Sequence, residues 1–129
     1  MENIMEQLEI PQTATTPLIS FDEALTTLHI SGESYPENSF AFYAPVLAWL
    51  KQQLLDSKPL IIEIAITYMN SSSTKCMLDL LDILDDAYTR SVDVSIVWYY
   101  DPENPRSFEL AEEFCEEVSF PFTITARNP

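Results

Sequence analysis

Hydrophobic positions along this chain change period several times, and each change marks an element. In residues 59–69, Leu60, Ile62, Ile64, Ile66 and Tyr68 alternate with Ile61, Glu63, Ala65 and Thr67, the period of an extended strand. Residues 92–100 repeat the design, with Val92, Val94, Ile96, Trp98 and Tyr100 set against Asp93, Ser95, Val97 and Tyr99. A strand covered on both faces would be apolar nearly throughout. Here one face is fully apolar and the other only half so, which predicts helices packed mainly on one face. Residues 17–21 and 24–30 read as two further strands with Asp22-Glu23 as the turn between them, and Phe120 to Thr125 as a last short strand.

Three segments carry the helical period instead. In residues 39–55, Phe40, Tyr43, Leu47, Leu50 and Leu54 recur at three- and four-residue steps; Val46 widens that face, and Phe42 and Trp49 lie at its edge. Pro45 falls inside the pattern, so the helix either kinks there or starts only a turn before it. Residues 72–89 turn Cys76, Met77, Leu80, Leu81, Leu84 and Ala87 inward and Asp79, Asp82 and Asp86 outward. Residues 105–117 turn Phe108, Ala111, Phe114, Cys115 and Val118 inward, beneath an outer face of Glu109, Glu112, Glu113, Glu116 and Glu117. Strand–helix–strand units prefer parallel pairing with a right-handed crossover. The expected fold is α/β: a mixed, mostly parallel sheet of about five strands, with three helices mainly on one face. Residues 1–9 are expected to be a flexible N-terminal tail and 10–129 a single domain.

Composition narrows the function classes. With 129 residues, 47% hydrophobic and 21% charged, the chain can bury one sizeable core and is not of the disordered type. A formal net charge of −15 repels polyanions, which argues against nucleic acid and against direct binding to an anionic membrane. It fits a basic partner face, although a solvated acidic surface accounts for most of it. Gly32 is the only glycine. A P-loop and a dinucleotide fingerprint each need several, so nucleotide chemistry by those routes is excluded, and no cofactor is expected. Cys76 and Cys115 sit in apolar helical stripes without metal-type spacing and read as reduced core thiols, so no metal is expected. No apolar run approaches the roughly 20 residues of a membrane helix. The opening Met-Glu-Asn-Ile-Met-Glu has neither a basic region nor an apolar signal core, so a cytoplasmic location is expected. His29 is the sole histidine, placed on a strand with no evident route to a serine nucleophile, so catalysis is not expected.

Parallel pairing puts the loops that leave successive strands on one edge of the sheet. Three converge there, residues 32–38, 70–73 and 101–104, each leading into a helix through N-cap chemistry. Asn104 before Pro105 reads as an especially good cap and first-turn pair. Such an edge gathers helix N-termini and their partial positive charge. Tyr35, Glu37, Asn38, Asn70, Ser71 and Asp101 are expected to lie together there, with Ser71 at the centre. A phosphate on Ser71 would add nearly two negative charges where a helix start accepts them, and Lys75, one turn on, could pair with it. Helix capping by Asn70 and the three serines explains the same residues and is the commoner reason for them.

These segments resemble the SiaC family of bacterial regulatory phosphoproteins. The resemblance is carried by Ile10-Pro11 with Thr16-Pro17, by Gly32-Glu33-Ser34-Tyr35-Pro36-Glu37-Asn38-Ser39, and by Tyr68-Met69-Asn70-Ser71-Ser72-Ser73-Thr74-Lys75. The Leu78-Asp79-Leu80-Leu81-Asp82 helix, Ala111-Glu112-Glu113-Phe114 and Ser119-Phe120-Pro121-Phe122 extend it over nearly the whole chain. It implies a STAS-like sandwich and a non-enzymatic switch. Unphosphorylated, the protein would bind and activate a diguanylate cyclase and raise cyclic-di-GMP, the signal for biofilm growth and aggregation. A cognate serine/threonine kinase would phosphorylate it and a PP2C-type phosphatase reverse the change. The phosphorylated position falls on Ser71, where the family pattern has threonine, with Ser72 as the alternative. Tyr35, Glu37, Asn38, Asn70, Ser72, Ser73, Lys75 and Asp101 would then contact partners. The strand-Asn-Ser-Ser-helix arrangement is also similar to anti-sigma-factor antagonists, which gives a second reading as a partner-switching protein of that kind.

Overall fold

The structure is a computed structural model that describes residues 8–127. Six strands form one sheet whose spatial order follows the chain. The strands are β1 (Glu9–Ile10), β2 (Leu18–Asp22), β3 (Thr27–Ser34), β4 (Leu60–Met69), β5 (Val94–Tyr100) and β6 (Phe122–Ala126). The pairs β1–β2 and β2–β3 are antiparallel; β3–β4, β4–β5 and β5–β6 are parallel. Each parallel step is made through one helix: α1 (Ser39–Leu55), α2 (Ser71–Thr89) and α3 (Pro105–Cys115). Successive crossovers of one hand, each advancing one place in the same direction, deliver all three helices to the same face.

The two faces of the sheet differ as the alternation demands. Leu28, Ile30, Ile62, Ile64, Ile66, Ile96 and Trp98 are buried under the helices. On the opposite face His29, Glu63, Ser95 and Tyr99 are only half-buried. His29 Nδ1 lies 3.1 Å from Glu63 Oε1, and the Tyr99 hydroxyl donates to Glu63 Oε2 at 3.4 Å. Among the described residues no helix is long and apolar enough to cross a membrane, and no group of three or more His, Cys, Asp or Glu could hold a metal ion.

Several expectations need correction. Glu9, assigned to the tail, begins β1; Ser20 Oγ donates to its carboxylate at 2.8 Å, and Phe21 N donates to Leu8 O at 2.9 Å. Residues 1–7 of that expected tail lie outside the described residues. The turn after β2 covers 23–26, later than Asp22-Glu23, so β3 starts at Thr27. Thr26 closes that turn with φ 48°. In α1 the inward stripe runs through Tyr43, Val46, Leu50 and Leu54, which rotates the face toward Trp49. Trp49 is therefore core, edge-on to Phe21 at 4.8 Å between ring centroids, while Phe40 is 53% exposed. Pro45 lies within α1 on its solvent side. The carbonyl of Ala41, deprived of its usual N–H partner, faces water there, and the helix continues.

The largest departure is at the end of β4. Tyr68, expected to point inward, is 49% exposed, and Met69 is buried instead. Gly32 pairs with Ile66, but the next residue, Glu33, pairs with Tyr68, so Thr67 is an extra residue on β4. Such a bulge inverts the alternation beyond it. Gly32 stands opposite with φ +120°, and a Cβ there would lie 2.9 Å from Gln12 Nε2.

Candidate functional site

β3, β4 and β5 run parallel, so Ser34, Met69 and Tyr100 end on one edge and the three following turns open there. Asn70 organises the central turn. Its backbone N–H donates to Ser34 O at 2.9 Å, which ties the turn to β3. Its side-chain oxygen accepts from Ser73 N at 2.9 Å and caps α2. It also accepts from Ser72 Oγ at 3.3 Å and from Ser39 Oγ at 3.4 Å. Asn38 caps α1 in the same way, accepting from Ala41 N at 3.1 Å.

Asn104, expected to be an especially good cap, makes no side-chain cap bond, although Pro105 does occupy the first turn of α3. The buried Ser107 hydroxyl holds this turn instead. It accepts from Asp101 N at 3.1 Å and donates to Asn104 O at 3.0 Å.

Beneath the edge runs a chain of buried hydroxyls. Ser34 Oγ lies 2.6 Å from Tyr43 Oη and donates to Ser73 Oγ at 2.8 Å. Ser39 Oγ lies 3.0 Å from Ser73 Oγ and 2.8 Å from Ser72 Oγ. Ser34, Ser39 and Ser73 are almost wholly buried, which is tolerated because each hydroxyl has partners. Burial pushes the Tyr43 hydroxyl up to about 12, against a smaller downward pull from its hydrogen bond to Ser34. It stays neutral in any physiological medium. The network binds the end of β3 to the starts of α1 and α2. Ser34, Ser39 and Tyr43 were missed as site residues from the sequence. The available signal was a serine at an inward-facing strand position, Ser34, in register with Ile30.

The three serines of α2 thereby acquire different roles. Ser73 is fully buried and unavailable to a partner, so its expected partner contact is replaced by a place in the network. Ser72 is half-buried and engaged with Ser39 and Asn70. Ser71 is the first residue of α2 and is exposed, and among the described residues its hydroxyl has no hydrogen-bond partner. Lys75 is exposed on the same side of α2, one turn on. The Tyr35 ring packs edge-on to Tyr68 at 5.7 Å; both are exposed, Tyr68 because the bulge turned it outward. Tyr35 N donates to Thr15 O at 2.8 Å, which fixes the start of its loop. Glu37 is exposed in that loop. Asp101 is at the same edge but belongs to the β5–α3 turn, where its carboxylate accepts from Glu103 N at 2.9 Å.

Residues 10–127 match the model of the SiaC family regulatory phosphoprotein. The chain belongs to the SiaC family. Its relatives include the uncharacterized protein PA14_02130 of Pseudomonas aeruginosa strain UCBPP-PA14, 43% identical over 125 residues, 96% of this chain and 99% of that protein. The crystal structure of apo-SiaC from Pseudomonas aeruginosa superposes with a TM-score of 0.88 at 43% identity, over 93% of this chain and 98% of that one. SiaC as crystallised in complex with the diguanylate cyclase SiaD, whose activator it is, superposes at 0.89 with 44% identity, over 93% and 99% of the two chains. The family match spans every element of the edge, so this SiaC-family chain carries Ser71 and the hydroxyl network within the shared domain.

Proposed function

We propose that this chain is a phosphorylation-controlled switch that, unphosphorylated, binds and activates a diguanylate cyclase, and that Ser71 is the residue phosphorylated. The observation that carries this reading is the similarity, near full length, to a SiaC crystallised with the cyclase it activates. The site supports Ser71 over Ser72, because Ser71 alone of the three serines is exposed at a helix start with no hydrogen-bond partner for its hydroxyl among the described residues. A cognate serine/threonine kinase adds the phosphate and a PP2C-type phosphatase removes it. The chain acts without catalysis of its own: its one histidine is paired with Glu63 on the open sheet face, away from the serines. A cytoplasmic location follows from partners of this kind. Tyr35, Glu37, Asn38, Asn70, Lys75 and Asp101 form the partner-facing rim.

The physical basis is a contrast between fold and interface. A phosphate on Ser71 stays in water at a helix N-terminus that favours it by about 0.3–1 kcal/mol. A partner docked over the same edge must desolvate that phosphate or leave it unpaired, at a cost well above the helix contribution. Binding should fall steeply while the melting temperature hardly moves. The test measures cyclic-di-GMP synthesis and binding by SiaD of Pseudomonas aeruginosa with wild type, Ser71→Ala, Ser71→Asp and the phosphoprotein. Wild type and Ser71→Ala are expected to activate; Ser71→Asp and the phosphoprotein are expected to bind weakly. A phosphoprotein that binds as tightly as wild type would overturn the switch.

A further inference from the structure

Beside the serine edge, between the ends of β3 and β4 and the first turns of α3, lies a cleft of about 480 Å³. Met69 and the half-buried Leu110 give it apolar surface, Tyr68 and Thr67 form one side, and Glu33, Glu109, Glu113 and Arg106 surround it. The bulge at Thr67 shapes it by turning Tyr68 outward, where Tyr35 braces the ring. All four charged residues are exposed, and among the described residues none of them makes an ion pair. Three carboxylates and one guanidinium thus surround an apolar floor with an aromatic wall. Exposed aromatics of this kind are what partner anchors pack against.

We propose that this cleft docks a Lys- or Arg-bearing segment of the cyclase. Its apolar part would rest on Leu110, Met69 and Tyr68, and its basic groups would face Glu33, Glu109 and Glu113. The inference rests on the function proposed above. Charge complementarity selects the occupant: a phosphate-bearing nucleotide would meet three unpaired carboxylates. The cleft adjoins Ser71 through Tyr68 and Met69, yet Ser71 does not line it. Ser71 lies outside the lining, so a phosphate there acts on the part of the partner that covers the helix edge, while the carboxylates hold the part in the cleft. The two effects are separable.

The test compares SiaD binding by wild type, by the charge reversal Glu109→Lys/Glu113→Lys, by Tyr68→Ala, and by Glu116→Lys/Glu117→Lys. The last makes the same charge change on exposed residues outside the cleft. Circular dichroism and melting confirm that each variant is folded. The Glu109/Glu113 reversal is expected to weaken binding by about tenfold or more and to flatten its salt dependence, while the Glu116/Glu117 control changes it by less than about threefold. Tyr68→Ala is expected to weaken binding without a flatter salt dependence. Equal losses in both reversals would mean general steering and overturn the cleft as a site. A Glu109/Glu113 variant that binds normally, with phosphorylation still abolishing binding, would overturn the cleft and leave the switch intact. A reversal that leaves SiaD binding alone but changes the oligomeric state on size-exclusion chromatography would assign the cleft to a second copy of the chain, against the proposal. If wild type itself fails to bind SiaD, the function proposed above fails and the cleft assignment with it.

Discussion

Ser39 Oγ, in the first turn of α1, lies 2.8 Å from Ser72 Oγ, in the first turn of α2. Two helices that start 32 residues apart in the chain are thus joined at their tips. Their N-terminal dipoles point to one edge, and like partial charges side by side repel. The hydroxyl bridges and the shared Asn70 oxygen hold them together against that repulsion. The turn that presents Ser71 is rigid for the same reason.

The network makes a prediction about stability. Ser34 is the only hydrogen-bond partner of the Tyr43 hydroxyl among the described residues. Ser34→Ala should leave a buried hydroxyl unsatisfied and cost about 1–3 kcal/mol. Adding Tyr43→Phe should recover part of the loss, because it removes the unpaired phenol, while Ser73 still lacks the hydrogen bond that Ser34 donated. Urea denaturation of both single variants and the double measures this. A double variant as unstable as the sum of the singles would show that the two hydroxyls do not depend on each other.

Tyr43 also sets an alkaline limit. Its hydroxyl is raised from the ordinary 10.0 to about 12, so the folded state holds this proton more tightly than the unfolded chain. The resulting stability is fully present below pH 10 and is lost as pH rises through 12. Other groups titrate there too, so the informative quantity is the difference between wild type and Tyr43→Phe. That difference should shift in favour of Tyr43→Phe across this window.

Gly32→Ala should destabilise by about 1–3 kcal/mol, because φ +120° is a conformation that L residues rarely adopt. The new Cβ also meets Gln12 Nε2 at 2.9 Å. Gln12→Ala in the same chain removes the contact but not the backbone strain, so it should restore only part of the loss. Thermal melts of Gly32→Ala, Gln12→Ala and the double variant separate the two contributions.

On α1, Trp49→Ala should cost about 3–5 kcal/mol, and Phe40→Ala a small fraction of that. The contrast follows from burial, since Trp49 is 2% exposed and Phe40 is 53% exposed. Trp49→Phe should be much milder than Trp49→Ala, because the indole N–H has no acceptor to lose among the described residues. Chemical denaturation midpoints give all three values.

Periodicity alone was enough for elements whose partners are diffuse. All six inward residues assigned to α2 are buried, and the bounds expected for α1 are those observed. The edge itself followed from parallel pairing. What failed depended on one specific neighbour. Tyr68 faces outward only because Thr67 is extra against β3, and that register is settled by Gly32 and Glu33, more than thirty residues away. Phe40 and Trp49 exchanged places because the packing angle of α1, set by the sheet and α2, rotates a face too wide to be fixed by spacing. The hydroxyl network was illegible because each serine alone reads as a cap; only the fold brings Ser34, Ser39 and Ser73 together.

Strand order that follows chain order also bears on how the protein is made. Each strand pairs with the one synthesised just before it, so no early segment must wait for a distant later one. A nascent chain can close the β2–β3 hairpin and then add one strand–helix unit at a time. The final step is marked by Trp98, whose ring is covered on one side by Phe114 at 5.5 Å and by Phe122 at 6.2 Å. Until α3 and β6 pack, neither ring covers that indole, so the burial of Trp98 reports the step that adds the last strand–helix unit to the sheet.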